Sequence, residues 1–366
     1  MASRTATAFS VGRQSSGKRS IAVLPQATED ITVKWALRTL TIITALSIIC
    51  IGCQAWIMAN QVAVRRDLTA GADSDSDLDS IRTNFNIEIT FHSVFLAAVG
   101  FWWFITWNGL MRQNTIQIIS VNFYNVGLFI YSITQIFQLR NDLEQIRPLL
   151  ADPNLANGKP LFLAAQILLP VMIGIFIPIY IYLTIRLSAE FGWRIYRISG
   201  GDIAVERLLL DYHIFLLLMK YGIVFMVGFT VLDLALASVS FNGLILIPVL
   251  GGLLGIAISS AGFLGVRREN AIILSIFIAG SVIEFAYITF RVYLAYARST
   301  DFANNIQRAE LPFLMFAEVS LVILAVSILY GVVCYRNFGM GLKEVLDAER
   351  KLRSGEQETR EIDLDA

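Results

Sequence analysis

The sequence predicts an all-α fold: a polytopic transmembrane helical bundle of eight spans with both termini in the cytosol. Three observations predict it. Of 366 residues, 56% are hydrophobic and 16% charged, against roughly 45–50% and about 25% in soluble globular chains. Mean hydropathy is +0.63. The apolar excess gathers into blocks near the roughly 20 residues that a helix needs to cross about 30 Å of hydrocarbon. Such a helix satisfies its backbone polar groups internally. Period-two alternation is absent, which excludes a transmembrane β-barrel.

The blocks run over residues 40–58, 87–107, 116–137, 161–185, 212–235, 243–266, 271–293 and 311–335. The first follows a stretch rich in Ser, Thr and Arg and reads as an uncleaved signal anchor. Only residues 236–242 separate the fifth block from the sixth. Ser238, Ser240, Asn242 and Gly243 are turn formers there, and merging the two blocks gives a seven-span alternative. Three regions follow: a disordered cytosolic tail over 1–33, a transmembrane helical domain over 34–336 and a cytosolic tail over 337–366.

Basic residues set the orientation. With eight spans, nineteen of the 29 Lys and Arg residues fall on the side of the termini. They include the N-terminal cluster, Arg112, the loop between spans four and five, Arg267, Arg268 and the C-terminal tail. Eight fall on the opposite side. Lys220 and Arg291 lie within spans.

Composition excludes several classes. Formal charge is zero, so bulk charge supports no nucleic-acid partner. Two histidines and the cysteines Cys50, Cys53 and Cys334 form neither a disulfide framework nor a zinc-ligand pattern. No metal or other cofactor is expected. HExxH, GxSxG and P-loop motifs are missing, so the chain reads as non-enzymatic. Asn-x-Ser/Thr sequons are absent too, which weakens a plasma-membrane receptor reading.

Outside the spans, Asp73, Asp75, Asp77 and Asp79 alternate like the start of a calcium loop. Leu78 and Asn84 stand where an EF-hand needs Gly and Glu, so the segment reads as a solvated acidic loop. Residues 189–198 alternate apolar and basic side chains. Phe191 and Trp193 suit the headgroup region while Arg194 and Arg197 meet anionic lipid. The C-terminal tail offers an amphipathic stretch over 341–352 and ends acidic at Glu361, Asp363 and Asp365.

The same region carries a resemblance. Ala189-Glu-Phe-Gly-Trp193, Tyr196, Gly201-Asp202, Tyr212-His-Ile-Phe215 and Lys220 resemble the signature of an uncharacterised fungal family of Golgi apparatus membrane proteins. The chain has Ile198-Ser-Gly-Gly-Asp202 where an Ile-Gly-Ala-Asp run is expected. The resemblance implies a fungal source and a Golgi location, with other endomembranes as the alternative. It lends no catalytic residues.

Ionisable side chains within hydrocarbon are costly and mark candidate sites. Lys220 and Glu284 fall near the middle of spans five and seven, where similar depth suggests a buried pair. Glu284, Tyr287 and Arg291 share one helical face by their i, i+3, i+7 spacing, expected to look toward Glu318 and His92. Such a face would either line a water-filled cavity or fix helix register through interhelical pairs. In span six, Gly251, Gly255 and Ser259 form a small-xxx-small ladder for close helix packing, within the chain or in a homodimer. The reading is an integral membrane protein whose partners are the lipid bilayer and other membrane proteins, working in interaction or trafficking. A solute or proton-coupled transporter using the embedded charges is the alternative, and a seven-span receptor-like protein the second.

Overall fold

The computed structural model describes residues 26–70, 75–146, 160–199, 203–240, 245–297 and 299–340. Among the described residues every regular element is helical. In chain order they are α1 (Gln26–Ala70), α2 (Asp75–Met111), α3 (Thr115–Ile146), α4 (Pro160–Ser199), α5 (Ile203–Ser240), α6 (Leu246–Arg267), α7 (Ala271–Ala297) and α8 (Ser299–Arg336). Each carries a stretch long and apolar enough to cross a membrane. Separate helices α5 and α6 dispose of the seven-span alternative.

Most helices outrun the apolar blocks. α5 has 38 residues, which at 1.5 Å per residue is about 57 Å and well beyond a hydrocarbon core. α1 starts at Gln26, so its first turns occupy part of the stretch expected to be tail. α2 starts at Asp75, which places Asp75, Asp77 and Asp79 in a helix rather than a loop. Carboxylates near a helix N-terminus suit its dipole. The segment 189–198 likewise continues α4 to Ser199. Residues 341–366 lie outside the described residues, and with them the amphipathic and acidic C-terminal features.

The helices form two four-membered rings. In the first, α1 and α3 each pack against α2 and α4. In the second, α5 and α7 each pack against α6 and α8. The rings meet mainly where α2 faces α5, with α3 beside α8. Aromatic rings fill that seam. Tyr221 lies 5.6 Å from Phe101 and 5.8 Å from Tyr124 between centroids, and Phe316 lies 5.8 Å from Tyr131 and 5.7 Å from Phe225. Ring pairs at these separations add about 0.5–1.5 kcal/mol beyond the area they bury. Phe316 fits because Gly228 opposite it has no side chain: a Cβ there would stand 2.3 Å from the ring.

One turn is built twice. Gly109-Leu-Met-Arg-Gln-Asn114 links α2 to α3, and Gly265-Val-Arg-Arg-Glu-Asn270 links α6 to α7. In each, the residue before Asn is left-handed, Gln113 and Glu269 both at φ 48°. In each, the Asn amide bonds back to the Gly carbonyl, at 3.0 and 2.9 Å. Each Asn side chain then caps the following helix. Asn114 Oδ1 accepts from the Gln117 amide at 3.1 Å, and Asn270 Oδ1 accepts from Ile272 and Ile273 at 3.0 and 3.2 Å. Each Gly admits a close neighbour nine residues on: a Cβ would meet Ile118 at 2.8 Å or the Leu274 nitrogen at 2.9 Å. Corresponding turns of the two rings therefore share one design.

Large apolar residues face outward along the spans, among them Ile48, Phe123, Ile175, Leu253, Ile272 and Leu329. A surface of this kind is stable in lipid, where no hydrophobic effect drives such residues inward. Trp102 is a core residue edge-on to Phe176, while Trp103 donates to the Thr44 hydroxyl at 2.9 Å.

Candidate functional site

Four groups of embedded polar residues hold the predicted intramembrane residues, Glu318 apart, and their partners. The first lies between α1 and α2. Gln54 and Gln61 are seven residues apart on α1, and Glu88 and His92 four apart on α2, so each pair shares a face. The Gln54 amide nitrogen meets His92 Nδ1, and that of Gln61 meets both Glu88 Oε1 and His92 Nε2, the last at 2.8 Å. All four residues are buried. Sequence reasoning found His92 but missed both glutamines. Their spacing was the available signal.

The second group clamps the two rings together. Lys220 Nζ on α5 donates to Asn108 Oδ1 on α2 at 3.0 Å and to Gln117 Oε1 on α3 at 2.8 Å. Gln117 Nε2 donates in turn to the Ile105 carbonyl at 2.6 Å. A few residues on, Tyr221 and Ser120 join their hydroxyls across the same seam at 3.0 Å. The expected Lys220–Glu284 pair does not form. Similar depth does not fix direction around the helix, and Lys220 points out of its own ring.

The third group crosses the second ring on the diagonal. Arg291 on α7 grips Asp233 on α5, with Nε 3.0 and 2.9 Å from Oδ1 and Oδ2 and a terminal nitrogen 2.5 Å from Oδ1. Tyr287 donates to Asp233 Oδ2 at 3.3 Å. Asp233 is 2% exposed and Arg291 7%. α5 and α7 are not neighbours in the ring, so the pair threads its core. Bidentate charge-assisted bonds of this kind fix geometry as well as energy.

The fourth group surrounds Glu284. Its carboxyl lies in a cavity of about 10 Å³ lined by all four helices of the second ring, with Gly222, Met226, Ser259, Ser320 and Ser327 among the walls. Glu284 Oε2 and Ser320 Oγ have no hydrogen-bond partner.

Of the predicted residues, then, the structure unites Tyr287 with Arg291 and leaves His92, Lys220 and Glu284 in three other places. Glu318 turns outward on α8, where Ala317 and Ser320 take the inward positions. The span-six ladder is used inside the chain. A Cβ at Gly251 would stand 2.5 Å from Tyr287, and one at Gly255 2.5 Å from Glu284 Oε1 and 2.7 Å from Met226. Ser259 lines the cavity. A homodimer would need another face.

Phe191 corrects the interfacial expectation. It is 1% exposed and packs with Leu110, Ile118 and Leu187, against which Trp35 and Leu40 also rest. The i, i+4 pairing of Leu187 with Phe191 carries the core face of α4 past the apolar block. The side chains of Trp193, Arg194 and Arg197 lie outside the described residues. Among the described residues no group of His, Cys, Asp and Glu could hold a metal ion.

Comparison with known proteins returns one fission-yeast relative. The chain is 26% identical over 273 residues to a UPF0658 Golgi apparatus membrane protein of Schizosaccharomyces pombe. The match covers 69% of this chain and 76% of that protein. No family model matches, and no solved structure matches. The expected resemblance to Golgi apparatus membrane proteins thus extends over most of the length. With eight membrane-spanning helices and this homology, the chain is an integral, multi-pass protein of the Golgi membrane.

Proposed function

We propose that the protein is a non-enzymatic interaction or trafficking component of the Golgi membrane, with both termini in the cytosol. One observation carries the reading. Among the described residues, Lys220, Asp233, Arg291, Glu88 and His92 meet their partners in separate local groups that join particular helices and do not meet one another. Lys220 holds ring to ring, the Asp233–Arg291 pair holds α5 to α7, and Glu88 with His92 holds α2 to α1. Such contacts specify helix register. They support a rigid body that presents lipid-facing and loop surfaces to other membrane proteins.

The orientation rests on the excess of Lys and Arg on the side of the termini. A glycosylation reporter fused to the C-terminus checks it: no glycan is expected, and efficient glycosylation would reverse the topology. For the interaction role, the full chain is extracted from Golgi membranes in native-lipid discs and its companions are quantified. Stoichiometric retention of a membrane protein is expected. Discs containing the chain alone, together with solute flux in reconstituted vesicles, would contradict the reading.

A further inference from the structure

Unlike Lys220, Asp233 and Arg291, Glu284 leaves a buried polar atom unmet, as the amides of Asn125 and Gln166 also do. Glu284 is 5% exposed and Ser320 6%, yet neither Glu284 Oε2 nor Ser320 Oγ has a partner. Leaving polar atoms of this kind unmet in a dry interior is costly, and for a charged oxygen more so. The cavity beside them, about 10 Å³, is close to the least volume that holds one water, which takes two to four polar partners. Ser259 and Ser327 complete an oxygen-only lining otherwise made of Met, Phe, Ile, Leu and Gly. Space for the carboxyl comes from Gly255, where any Cβ would stand 2.5 Å from Glu284 Oε1.

We propose that this cavity is a binding site for one small, hard monovalent cation, either a sodium ion or a proton held with one water. The Glu284 carboxyl and the hydroxyls of Ser259 and Ser320 are its ligands. Oxygen donors suit hard cations, and a single carboxyl balances one charge. Among the described residues of the four helices, the charged groups nearest the site are turned elsewhere. On α5, Lys220 turns away toward Asn108 and Gln117, and Asp233 is gripped by Arg291. On α7, Tyr287 and Arg291 both point to Asp233. α6 carries no charged residue before Arg267 at its end, and Glu318 of α8 faces outward. The site lies within one ring and is independent of any partner, so its failure leaves the interaction reading standing.

The test uses the full-length protein in nanodiscs, comparing wild type with Glu284→Gln and Ser320→Ala. Melting temperature is followed while sodium chloride replaces choline chloride at constant ionic strength, and again while pH is varied without sodium. Infrared difference spectra report a protonated carboxyl. If sodium is the ligand, it raises the wild-type melting temperature with each tenfold increase, and Glu284→Gln abolishes the rise. If the ligand is a proton, sodium has no effect, the melting temperature falls as pH rises, and the carboxyl band is lost in Glu284→Gln. Ser320→Ala keeps the carboxyl and is expected to shift the sodium midpoint or the carboxyl band. Should Glu284→Gln fail to fold, that variant decides: a response identical to wild type overturns the site. Indifference of the wild type to sodium and pH, with no protonated-carboxyl band, overturns it as well.

Discussion

Replacing Asp233 with alanine exposes what the diagonal pair contributes. Arg291 would keep its charge in a ring core where it is 7% exposed, having lost three hydrogen bonds to one carboxylate. Two unit charges about 4 Å apart interact by about 4 kcal/mol at an effective dielectric near 20. Breaking a buried pair by removing one member costs about 3–5 kcal/mol, chiefly because the survivor is left uncompensated. Replacing both members with apolar residues is often neutral or stabilising, by about 1–4 kcal/mol. Asp233→Ala is therefore expected to be destabilising by about 3–5 kcal/mol, and the double variant Asp233→Leu with Arg291→Met to recover most of that loss. The assay is reversible unfolding in mixed micelles of wild type, Asp233→Ala, and the cycle formed by Asp233→Leu, Arg291→Met and their double. A coupling energy below about 0.5 kcal/mol would refute the reasoning, because the two side chains would then act independently.

Three further predictions follow from single contacts. Lys220→Met leaves Asn108 Oδ1 and Gln117 Oε1 without their ammonium donor and should cost about 1–3 kcal/mol; hydrogen exchange should rise along α2 and α5 at the seam and stay unchanged at α7, and uniform change would contradict the clamp. Phe191→Ala removes a core side chain and should cost about 3–5 kcal/mol, measured by thermal melting. An effect within about 0.5 kcal/mol would return Phe191 to the interface. Asn114→Ala and Asn270→Ala each remove a helix cap and should cost about 1 kcal/mol apiece; similar and additive losses fit two turns of one design, whereas a loss at one position alone does not.

Depth was legible in the sequence, and direction was not. Eight apolar blocks gave eight helices because a membrane span must be apolar along its length. In lipid, however, the outward residues are as apolar as the inward ones: Phe123 faces out and Val121 faces in. The pattern therefore carries no azimuth, and Lys220 and Glu284 were set together on depth alone. Helix ends were obscured for a related reason, since polar ends such as Asp75–Asp79 extend a helix that the apolar block had already closed. Spacing could have shown more. Gln54 with Gln61 and Glu88 with His92 fall on shared faces, and the repeated Gly-x-x-Arg-x-Asn turn at 109–114 and 265–270 is plain in the sequence. Within span seven, Tyr287 and Arg291 are a turn apart and meet one carboxylate, but it is that of Asp233 and not the expected Glu318 or His92.

Cysteine accessibility tests most directly whether the embedded polar groups are local contacts within a packed interior. In a background lacking Cys50, Cys53 and Cys334, the variants His92→Cys, Lys220→Cys, Glu284→Cys and Arg291→Cys are treated in intact Golgi vesicles and in inverted ones with a membrane-impermeant maleimide. Met340→Cys, at an exposed position, serves as the reactive control. Labelling of the control alone is the predicted result. Labelling at positions from two or more of the four groups from a single side would reveal a continuous aqueous passage and contradict the account.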